Sequence, residues 1–567
     1  MKTRFFLLAT LLYICQAASA AVPSLSLIPL PEHMEQCGGT SSFAKKFTIR
    51  LDSKASAEVE AVVSRFSHEF CTATAMDVQR TRKSSATMTL SLDAALASEA
   101  YTLEVAGGKV RISAAQPAGF FYALQTFKQL FPRSVMAGQP CTDIKTVWTV
   151  PDVRISDAPR FAWRGFMLDE GRHFYGKEAI KRVLDLMSVY KMNRFHWHLT
   201  EDQGWRVEIK KYPRLTEVGA WRNSKVLGWG DVKPDGQRYG GFYTHEDVKE
   251  IVAYAAARFI EIVPEVDIPG HSQAAVAAYP EFLACDPEQP HEVWLWQGVS
   301  ADVINVAEPR AVQFACDVID ELAALFPFGY IHLGGDECPT DKWERNALCQ
   351  SRLKEIGSEK YRDLQIDFYH KLQQHIARQP LEKQRKLIFW NEVLHGNTQS
   401  LGKDIAIMAW IGADGAARDA AGRGFNTILS PQIPYYINRR QSPLATEPRS
   451  QGHGTETVEA VYNYVPAKDV PADLQAKYLG VQANFWTEWV EDVATVEYLM
   501  LPRLAAGLCG GGSDCLGYDD ELSHDHGYAA GCMLFLAPED TETHGFLLST
   551  LYDRLPREFL GVKTEHR

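Results

Sequence analysis

From Pro151 onward, short apolar runs typical of β-strands alternate with longer runs of helical spacing, and this alternation restricts the possible folds more than any other feature. The candidate strands are Trp163–Asp169, Asn193–Leu199, Phe259–Val266, Tyr330–Gly335, Leu387–Asn391, Ile405–Trp410, Asn426–Ser430 and Gly480–Trp486. The helical runs are Lys177–Tyr190, Thr244–Ala257, Pro309–Leu325 and Tyr361–Arg378. Eight strands alternating with helices over roughly 350 residues predict a (β/α)8 barrel with long insertions. A doubly wound open sheet is the alternative, but no G-x-G-x-x-G motif opens any of these helices.

Residues 21–150 follow a different pattern and precede the predicted barrel at 151–508. Ala100–Ser113 alternates apolar and polar residues around Gly107-Gly108, which indicates a hairpin. Ala57–Phe70 and Ala118–Leu130 have helical spacing. The segment contains no cluster of acids, histidines or cysteines that suggests chemistry, and we expect a small, non-catalytic α+β domain.

The first 20 residues are typical of a secretory signal peptide. Lys2 and Arg4 precede a short apolar run, and Ala18-Ser19-Ala20 resembles a cleavage site. Cys15 follows an isoleucine rather than a small residue, which disfavours lipid attachment without excluding it. No later stretch reaches about 18 uninterrupted apolar residues, so no transmembrane segment is expected. These features predict an exported protein, located in the periplasm, at the cell surface or in the medium.

Charge and cysteine usage narrow the possible functions. The 567 residues carry a formal net charge of -12 and no basic cluster, which argues against nucleic-acid binding. No C-x-x-C pair among the 11 cysteines suggests zinc or thioredoxin chemistry. Export permits disulfides, and Cys509 and Cys515 could bridge across a glycine-rich turn, although no pairing can be derived from sequence.

The fourth predicted strand ends in Gly334-Gly335-Asp336-Glu337. Neighbouring side chains on a strand point to opposite faces, so Asp336 and Glu337 can share a site only if the backbone turns. The two glycines provide the freedom for that turn. Two carboxylates in one site should have divergent pKa values, with one ionised and the other protonated near neutral pH and able to donate a proton. A solvated acidic turn is the simpler alternative.

Functional groups are concentrated where the other strands end, as a barrel enzyme requires. The stretches concerned are Arg164-Gly165, Asp169-Glu-Gly-Arg172-His173-Phe174, His196-Trp-His-Leu-Thr-Glu-Asp-Gln-Gly-Trp205, Pro264-Glu-Val-Asp-Ile-Pro-Gly-His-Ser272, His332-Leu-Gly-Gly-Asp-Glu337, Trp390-Asn-Glu392, Met408-Ala-Trp410 and Gln482-Ala-Asn-Phe-Trp-Thr-Glu488. A lone tryptophan or glutamate at a strand end is usually core or solvated, but the whole set favours a site. Together, from about residue 160 to 505, they resemble glycoside hydrolase family 20, the β-N-acetylhexosaminidases.

The resemblance implies an exo-acting, retaining hydrolase whose nucleophile is the substrate's own 2-acetamido oxygen. Its substrates would be oligosaccharides or glycoconjugates that end in β-linked N-acetylglucosamine or N-acetylgalactosamine, and it would need no cofactor or metal. Glu337 would be the general acid and later the general base, and Asp336 would orient the acetamide and stabilise its positive charge. The remaining implied roles are hydrogen bonding to the acetamide by Tyr436, apolar walls from Trp390, Trp410 and Trp486, hydroxyl binding by Arg164 and Glu488, and support of Glu337 by His271 with Asp202.

Two departures from the family pattern bear on specificity and closure of the barrel. Where the family has Tyr-x-Asp after strand seven, this chain has Tyr436-Ile-Asn438, and the choice between Tyr435 and Tyr436 is open by one residue. The preference between gluco and galacto sugars and the affinity therefore stay open. Cys509-Gly-Gly-Gly-Ser513 interrupts the last helix, and residues 509–567 lose the family pattern.

Three other functions compete with this interpretation. His196-x-His198 resembles the paired ligands of metal-dependent barrel hydrolases, although the late strands end in Trp and Glu rather than His and Asp. Gly-Gly-Asp-Glu also marks signalling cyclases, but there an aromatic residue follows instead of Cys338. A non-catalytic sugar-binding protein is the third, against which the two intact carboxylates argue. Sequence leaves the aglycone, the linkage and the oligomeric state open.

Overall fold

Alternating apolar residues build a seven-stranded mixed sheet from the first part of the chain. The computed structural model describes residues 25–510, apart from residue 26, residues 226–227 and residues 230–233. The strands are β1 (His33–Ala44), β2 (Lys46–Leu51), β3 (Asp77–Arg80), β4 (Met88–Leu92), β5 (Tyr101–Ala106), β6 (Lys109–Ala114) and β7 (Val147–Asp157), in the order β1-β7-β5-β6-β4-β2-β3. Helices α1 (Ala57–Thr74) and α2 (Pro117–Gln129) and the short helix Arg133–Met136 accompany the sheet. The predicted α+β character of this domain is confirmed.

The predicted hairpin is β5 and β6, which pair antiparallel across Gly107-Gly108. Both glycines have positive φ, 55° and 71°, which a side chain would disfavour. The predicted boundary at residue 150 needs correction. It falls inside β7, which pairs with β1 and β5 and so belongs wholly to the first sheet. The first domain therefore extends to Asp157.

The second domain is a closed barrel of eight parallel strands, and all eight predicted strands are confirmed within a few residues at their ends. The barrel strands are β8 (Trp163–Asp169), β9 (Arg194–His198), β10 (Glu261–Glu265), β11 (Tyr330–His332), β12 (Lys386–Trp390), β13 (Ala406–Ala409), β14 (Asn426–Leu429) and β15 (Tyr478–Phe485). β15 pairs with β8 and closes the ring. The barrel therefore brings the carboxyl ends of all eight strands to one rim.

Helices surround the barrel where the sequence predicted them. The longer ones are α3 (Lys177–Val189), α4 (His245–Ala256), α5 (Pro309–Leu325), α6 (Arg362–Ala377), α7 (Ala413–Gly422) and α9 (Val493–Gly510), with α8 (Val458–Asn463) packed on α9. Shorter helices lie at Arg214–Glu217, Gln273–Ala278, Pro280–Leu283, Asp341–Arg345, Ala347–Glu355 and Gln432–Tyr435. Two-residue strand pairs occur at Thr200–Glu201 with Gly204–Trp205, and at Trp221–Arg222 with Tyr239–Gly240, and Arg439–Arg440 pairs with Gln451–Thr455.

The chain's two ends lie largely outside the described residues. The last described helix begins at Val493 and runs through Cys509 and Gly510. The predicted signal peptide at 1–20, residues 511–567 and therefore the suggested Cys509–Cys515 bridge lie outside the described residues. None of the helices in the described part of the chain has the length and apolar character needed to cross a bilayer.

Buried ion pairs connect the two domains at the amino-terminal end of the barrel. The Arg164 Nη2 atom, at the start of β8, lies 2.9 Å from Oε1 of Glu99 in the first domain. Lys191 Nζ, just before β9, lies 2.8 Å from Asp157 Oδ2 at the end of β7. The side chains of the four residues are at most 22% exposed, so these charges are largely shielded from water.

Candidate active site

The carboxylate pair lies on the turn that follows β11. Gly334 and Gly335 have φ values of +65° and +97°, and Glu337 itself has φ +42°. A Cβ atom at Gly334 would overlap the carboxylate of Asp267, and the Gly335 N–H donates to Asp267 Oδ1 at 3.1 Å. The predicted turn at the two glycines is confirmed. It directs Asp336 inward and leaves Glu337 facing the opening, with side chains 11% and 47% exposed.

Asp336 interacts with a second buried carboxyl group, that of Asp267. Two neighbouring buried carboxyl groups are best accommodated when one of them carries a proton. Burial, and then the charge of Asp336, raises the pKa of Asp267 well above its ordinary value. Burial also raises the pKa of Asp336, but the nearby His271 opposes that shift. We therefore assign the proton to Asp267, beside an ionised Asp336.

His271 supports Glu337, as expected, but its main partner is Glu201 rather than Asp202. The His271 Nδ1 atom lies 3.0 Å from Glu201 Oε2 and 3.7 Å from Asp202 Oδ2. Its Nε2 atom lies 3.6 Å from Glu337 Oε2. The Asp202 carboxylate instead accepts the backbone N–H groups of Gln273 and Ser300, both at 2.9 Å. Asp202 therefore anchors loops, and the expectation that it is the partner of His271 needs correction.

The sequence predicted that the acid, Glu337, is protonated near neutral pH. Its protonation in the free protein differs from that expectation. The interaction with His271, whose Nε2 lies 3.6 Å from Glu337 Oε2, lowers the pKa of Glu337, although partial burial opposes that shift. Burial opposes protonation of His271 itself, but the charges of Glu201 and Asp336 outweigh it and raise the His271 pKa well above its ordinary value. The free site therefore favours an ionised Glu337 beside a protonated His271, because water still reaches the half-exposed Glu337 carboxylate.

Four aromatic side chains form a continuous wall beside the carboxylates. The rings of Trp390 and Trp486 are 5.9 Å apart, and Tyr436 lies 6.0 Å from Trp486. Trp410 stacks on Tyr436 at 5.8 Å with 7° between the planes, and its Nε1–H donates to Glu392 Oε2 at 2.9 Å. The structure thus brings all three predicted tryptophans together with the predicted tyrosine.

Packing decides which of the two tyrosines after β14, Tyr435 or Tyr436, belongs to the site. Tyr436 faces Trp410 and Trp486, whereas the Tyr435 hydroxyl approaches Gly507 O of the last helix. Asn438, which stands where the family pattern has Asp, is 1% exposed, and its Nδ2 donates to Gln451 Oε1 at 3.3 Å. An amide at this buried position forms a neutral hydrogen bond where the family pattern has a charge.

Arg172, to which the sequence assigned no role, provides the guanidinium group of the site. Its Nη2 lies 2.8 Å from Glu201 Oε1, and its Cζ is 5.1 Å from the Trp486 ring centroid. Glu488 is buried nearby, and burial raises its pKa to about 7 although Arg172 opposes that shift. Within the described part of the chain, Arg172 Nε and Glu488 Oε2 have no hydrogen-bond partner. These buried polar atoms are available to a ligand.

Arg164, the arginine predicted to bind sugar hydroxyls, lies at the opposite end of the barrel. It is the second residue of β8, and its guanidinium donates to Glu99, to Tyr122 Oη and to two backbone carbonyls. The prediction is therefore wrong in position, because strand direction puts Arg164 at the amino-terminal rim. Strand direction was the signal that could have selected Arg172, which follows the carboxyl end of the same strand.

A buried glutamate surrounded by three histidines closes the floor of the site. Glu265 contacts His198, His196 Nε2 at 2.8 Å and His332 Nδ1 at 2.8 Å, and it accepts Trp390 Nε1–H at 2.9 Å. All five side chains are fully buried. The histidine pair that suggested a metal-dependent hydrolase is thus enclosed beneath Trp390, whereas catalytic metal ligands keep a position open to water or substrate.

A closed parallel barrel with paired carboxylates, a buried arginine and an aromatic wall at one rim defines a (β/α)8 glycoside hydrolase. The sequence profiles described as "Glycosyl hydrolase family 20, catalytic domain" and "Glycosyl hydrolase family 20, domain 2" match residues 161–507 and 24–158. The chain therefore belongs to glycosyl hydrolase family 20, and the resemblance drawn from its motifs is confirmed.

Characterised relatives agree with this assignment. A β-hexosaminidase of Porphyromonas gingivalis is 38% identical over 85% of this chain, and one of Vibrio furnissii is 36% identical over 87%. This chain spans 60% of the length of the first relative and 77% of the second. The matched barrel is the catalytic domain of the family.

Solved structures of glycosyl hydrolase family 20 proteins are also similar to this chain. The exo-β-N-acetylglucosaminidase of Vibrio harveyi, in complex with N-acetylglucosamine, superposes with a TM-score of 0.77 at 31% identity, covering 90% of this chain and 77% of that one. A mutant β-hexosaminidase of Streptomyces plicatus in complex with its product GlcNAc superposes with a TM-score of 0.74 at 28% identity, covering 90% and 94%.

Proposed function

We propose that this protein removes terminal, non-reducing β-linked N-acetylhexosamine by a retaining mechanism in which the substrate's acetamide oxygen is the nucleophile. The observation that carries the proposal is the contrast between two adjacent carboxylates: Asp336 is buried on Asp267, and Glu337 is half-exposed on His271. Such a pair supplies one fixed anion and one group that can exchange protons with the leaving oxygen and with water.

In the first step the acetamide oxygen attacks the anomeric carbon, and the bond from that carbon to the leaving oxygen breaks. Glu337 gives its proton to the leaving oxygen, and a sugar that covers Glu337 raises its proton affinity by excluding water. The oxazolinium that forms carries a positive charge, which the Asp336 carboxylate stabilises. In the second step Glu337, now ionised, accepts a proton from the water that attacks the anomeric carbon, and the ring reopens to the acetamide.

The surroundings of the other carboxylates support a substrate nucleophile. A protein nucleophile would be a carboxylate about 5 to 5.5 Å from the acid, on the other side of the scissile bond. Glu265 is enclosed under Trp390, and burial raises the pKa values of Glu392 and Glu488 to about 8 and about 7. A protonated carboxyl group is a poor nucleophile, and an enclosed one cannot reach the anomeric carbon.

The remaining wall residues suit the other parts of an N-acetylhexosamine. The stacked pair of Trp410 and Tyr436 would line the acetamide pocket, with the Tyr436 hydroxyl donating to the acetamide oxygen. Arg172, in place of Arg164, would bind ring hydroxyls with charge-assisted hydrogen bonds, and the Glu488 carboxyl group would add hydrogen bonds of its own. The neutral Asn438 leaves open which epimer is preferred.

Three p-nitrophenyl glycosides test the proposal side by side. The β-N-acetylglucosaminide and the β-N-acetylgalactosaminide should be hydrolysed, whereas the β-glucoside, which has a plain 2-hydroxyl, should not. Good turnover of the glucoside, together with covalent trapping of a 2-fluoro sugar on a carboxylate, would contradict the mechanism. The metal content of the purified protein tests the alternative of a metal-dependent hydrolase, which requires a bound metal ion.

We also propose that the protein is exported, because residues 1–20 have the charge and apolar pattern of a secretory signal. Its substrates would then be glycans outside the cytoplasm. Fractionation of expressing cells tests this, with removal of residues 2–20 as the control that should leave the protein in the cytoplasm.

A further inference from the structure

Five side chains form an alternating row of carboxylates and imidazoles from the centre of the barrel to the catalytic turn. The row begins at Glu265, which contacts His198 Nδ1. His198 Nε2 lies 3.1 Å from Glu201 Oε1, and Glu201 Oε2 lies 3.0 Å from His271 Nδ1. The last interval, from His271 Nε2 to Glu337 Oε2, is 3.6 Å. Each nitrogen along the row faces an oxygen, so the first four side chains form a connected charge-assisted network, and the last interval is an ion pair longer than a hydrogen bond.

The fold places each member of the row. His198 ends β9 and pairs in register with Glu265 at the end of β10. Glu201 follows in the tight pair of short strands after β9, and His271 follows β10. The first four side chains are at most 1% exposed, so their charges interact without screening by water. A change of charge at one buried member therefore reaches its neighbours.

Other charged groups face the row and balance it. His196 and His332 contact Glu265 from β9 and β11, and Arg172 contacts Glu201. Asp202 and Asp336 lie 3.7 Å from His271. Glu337 itself is influenced by Asp336 and Glu392 as well as by Arg172 and Glu201. His198 is the side chain that contacts both Glu265 and Glu201, so it is the link between the floor and the support of Glu337.

We propose that His198 is a positioning residue that, held as an imidazolium between Glu265 and Glu201, fixes the Glu201 carboxylate and through His271 sets the proton affinity of Glu337. This role rests on the proposed function of Glu337 as the acid. Glu201 has three cationic partners, Arg172, His198 and His271, and His198 is the one that also contacts Glu265. Burial disfavours protonation of His198, but the charges of Glu265 and Glu201 outweigh it and raise its pKa to about 10.

The test compares His198→Gln with His196→Gln. Both histidines are fully buried on the same strand and contact Glu265, but only His198 reaches Glu201. Loss of the His198 cation should raise the pKa of Glu337, by about half a unit, and shift the basic limb of the kcat/KM profile to higher pH. Because Glu201 and His271 also lose their fixed positions, substrates with poor leaving groups should be slowed about tenfold even where Glu337 is protonated, while activated aryl glycosides and KM change little.

His196→Gln should change the pH profile and the leaving-group dependence far less than His198→Gln does, even if it lowers Tm, because His196 contacts Glu265 and not Glu201. The Glu337 pKa is read by carbon-13 NMR of labelled glutamate, assigned with Glu337→Gln, so this measurement does not depend on turnover. Inactive unaltered protein would contradict the proposed function alone. An unchanged Glu337 pKa in folded His198→Gln protein would overturn the present inference. If that variant does not fold, nitrogen-15 NMR of the unaltered protein decides, because a His198 ring that deprotonates near pH 6.5 would equally overturn it.

Discussion

The Nε2 atom of His271 lies 3.6 Å from Oε2 of Glu337 and 3.7 Å from Oδ2 of Asp336, so one imidazole faces both carboxylates of the turn. A single cation in that position stabilises both anions in the free protein. It also means that Glu337 cannot take up a proton without weakening its bond to His271. Substrate binding has to supply that change.

Replacing Glu337 with Gln should lower hydrolysis of substrates with poor leaving groups by about 10² to 10⁴-fold, because proton donation is lost. Activated aryl glycosides should be affected much less in the first step, since their leaving groups need little protonation. Rates measured across a series of aryl leaving groups check this. Equal losses along the series would argue against an acid role for Glu337.

The Asp336→Asn variant should lose about 3 kcal/mol of transition-state stabilisation, because the charge facing the oxazolinium is removed while a hydrogen-bonding group remains. A thiazoline analogue of the cyclised sugar should inhibit the unaltered enzyme tightly and the variant weakly. Asp267→Asn is the matched control. Its amide can still donate to Asp336, so kcat should fall far less, and a similar loss in both variants would contradict the assigned proton.

Removing the Trp410 side chain should raise KM for N-acetylated substrates about five- to tenfold, since one wall of the pocket is lost and about 1 kcal/mol of aromatic contact goes with it. Trp410→Phe keeps an aromatic face against Tyr436 but gives up the Nε1–H donated to Glu392. That variant should recover most of the affinity. Unchanged kinetics in Trp410→Ala would place the ring outside the site.

Arg172 and Arg164 give a matched pair for hydroxyl binding. Replacing each with Lys keeps the charge but loses the planar fork. Arg172→Lys should lower kcat/KM about tenfold, in line with about 1.5 kcal/mol for a charge-assisted hydrogen bond. Arg164→Lys should leave the kinetics unchanged and lower Tm, because its partner Glu99 belongs to the first domain. A kinetic effect of Arg164→Lys without one of Arg172→Lys would favour Arg164 as the residue that binds sugar hydroxyls.

Glu392 should make the free protein less stable as pH rises. Burial raises its pKa from 4.5 to about 8, so between these values the unfolded chain releases a proton that the folded protein retains. Stability from this group is complete below pH 4.5 and is lost as pH rises toward 8. Glu392→Gln removes the effect while the amide oxygen can still accept from Trp410.

The Tm of Glu392→Gln relative to the unaltered protein should therefore increase between about pH 5 and pH 8 and then level off. Thermal unfolding without ligand across this range measures the difference. A constant difference at all pH values would show that Glu392 is ionised in the folded protein.

The barrel strands could be predicted because each is a short apolar run followed by its own polar cluster, and strand direction assembles those clusters. The turn at Gly334-Gly335 could likewise be predicted, since two adjacent carboxylates need it to share a site. Sequence could not select Arg172 over Arg164 by residue type, because both accompany β8, and only their positions relative to its carboxyl end differ.

The support of Glu337 was harder to predict for a different reason. Glu201 and Asp202 are neighbours in sequence with the same chemistry, and the choice between them depends on how the short strands after β9 turn. The protonation of the pair depends on His271 and Asp267, which approach from another strand. Such long-range charge interactions have no local pattern in the chain.

The closed floor has a consequence for how the enzyme would work along a polymer. Trp390 and the histidine-bound Glu265 are fully buried and block passage down the barrel, so a sugar would enter and leave at the rim that carries the half-exposed Glu337. A released monosaccharide must leave through the opening by which the chain end entered, and the shortened chain has to let go before that can happen. Degradation would therefore be distributive rather than processive, with every glycan losing one sugar per encounter.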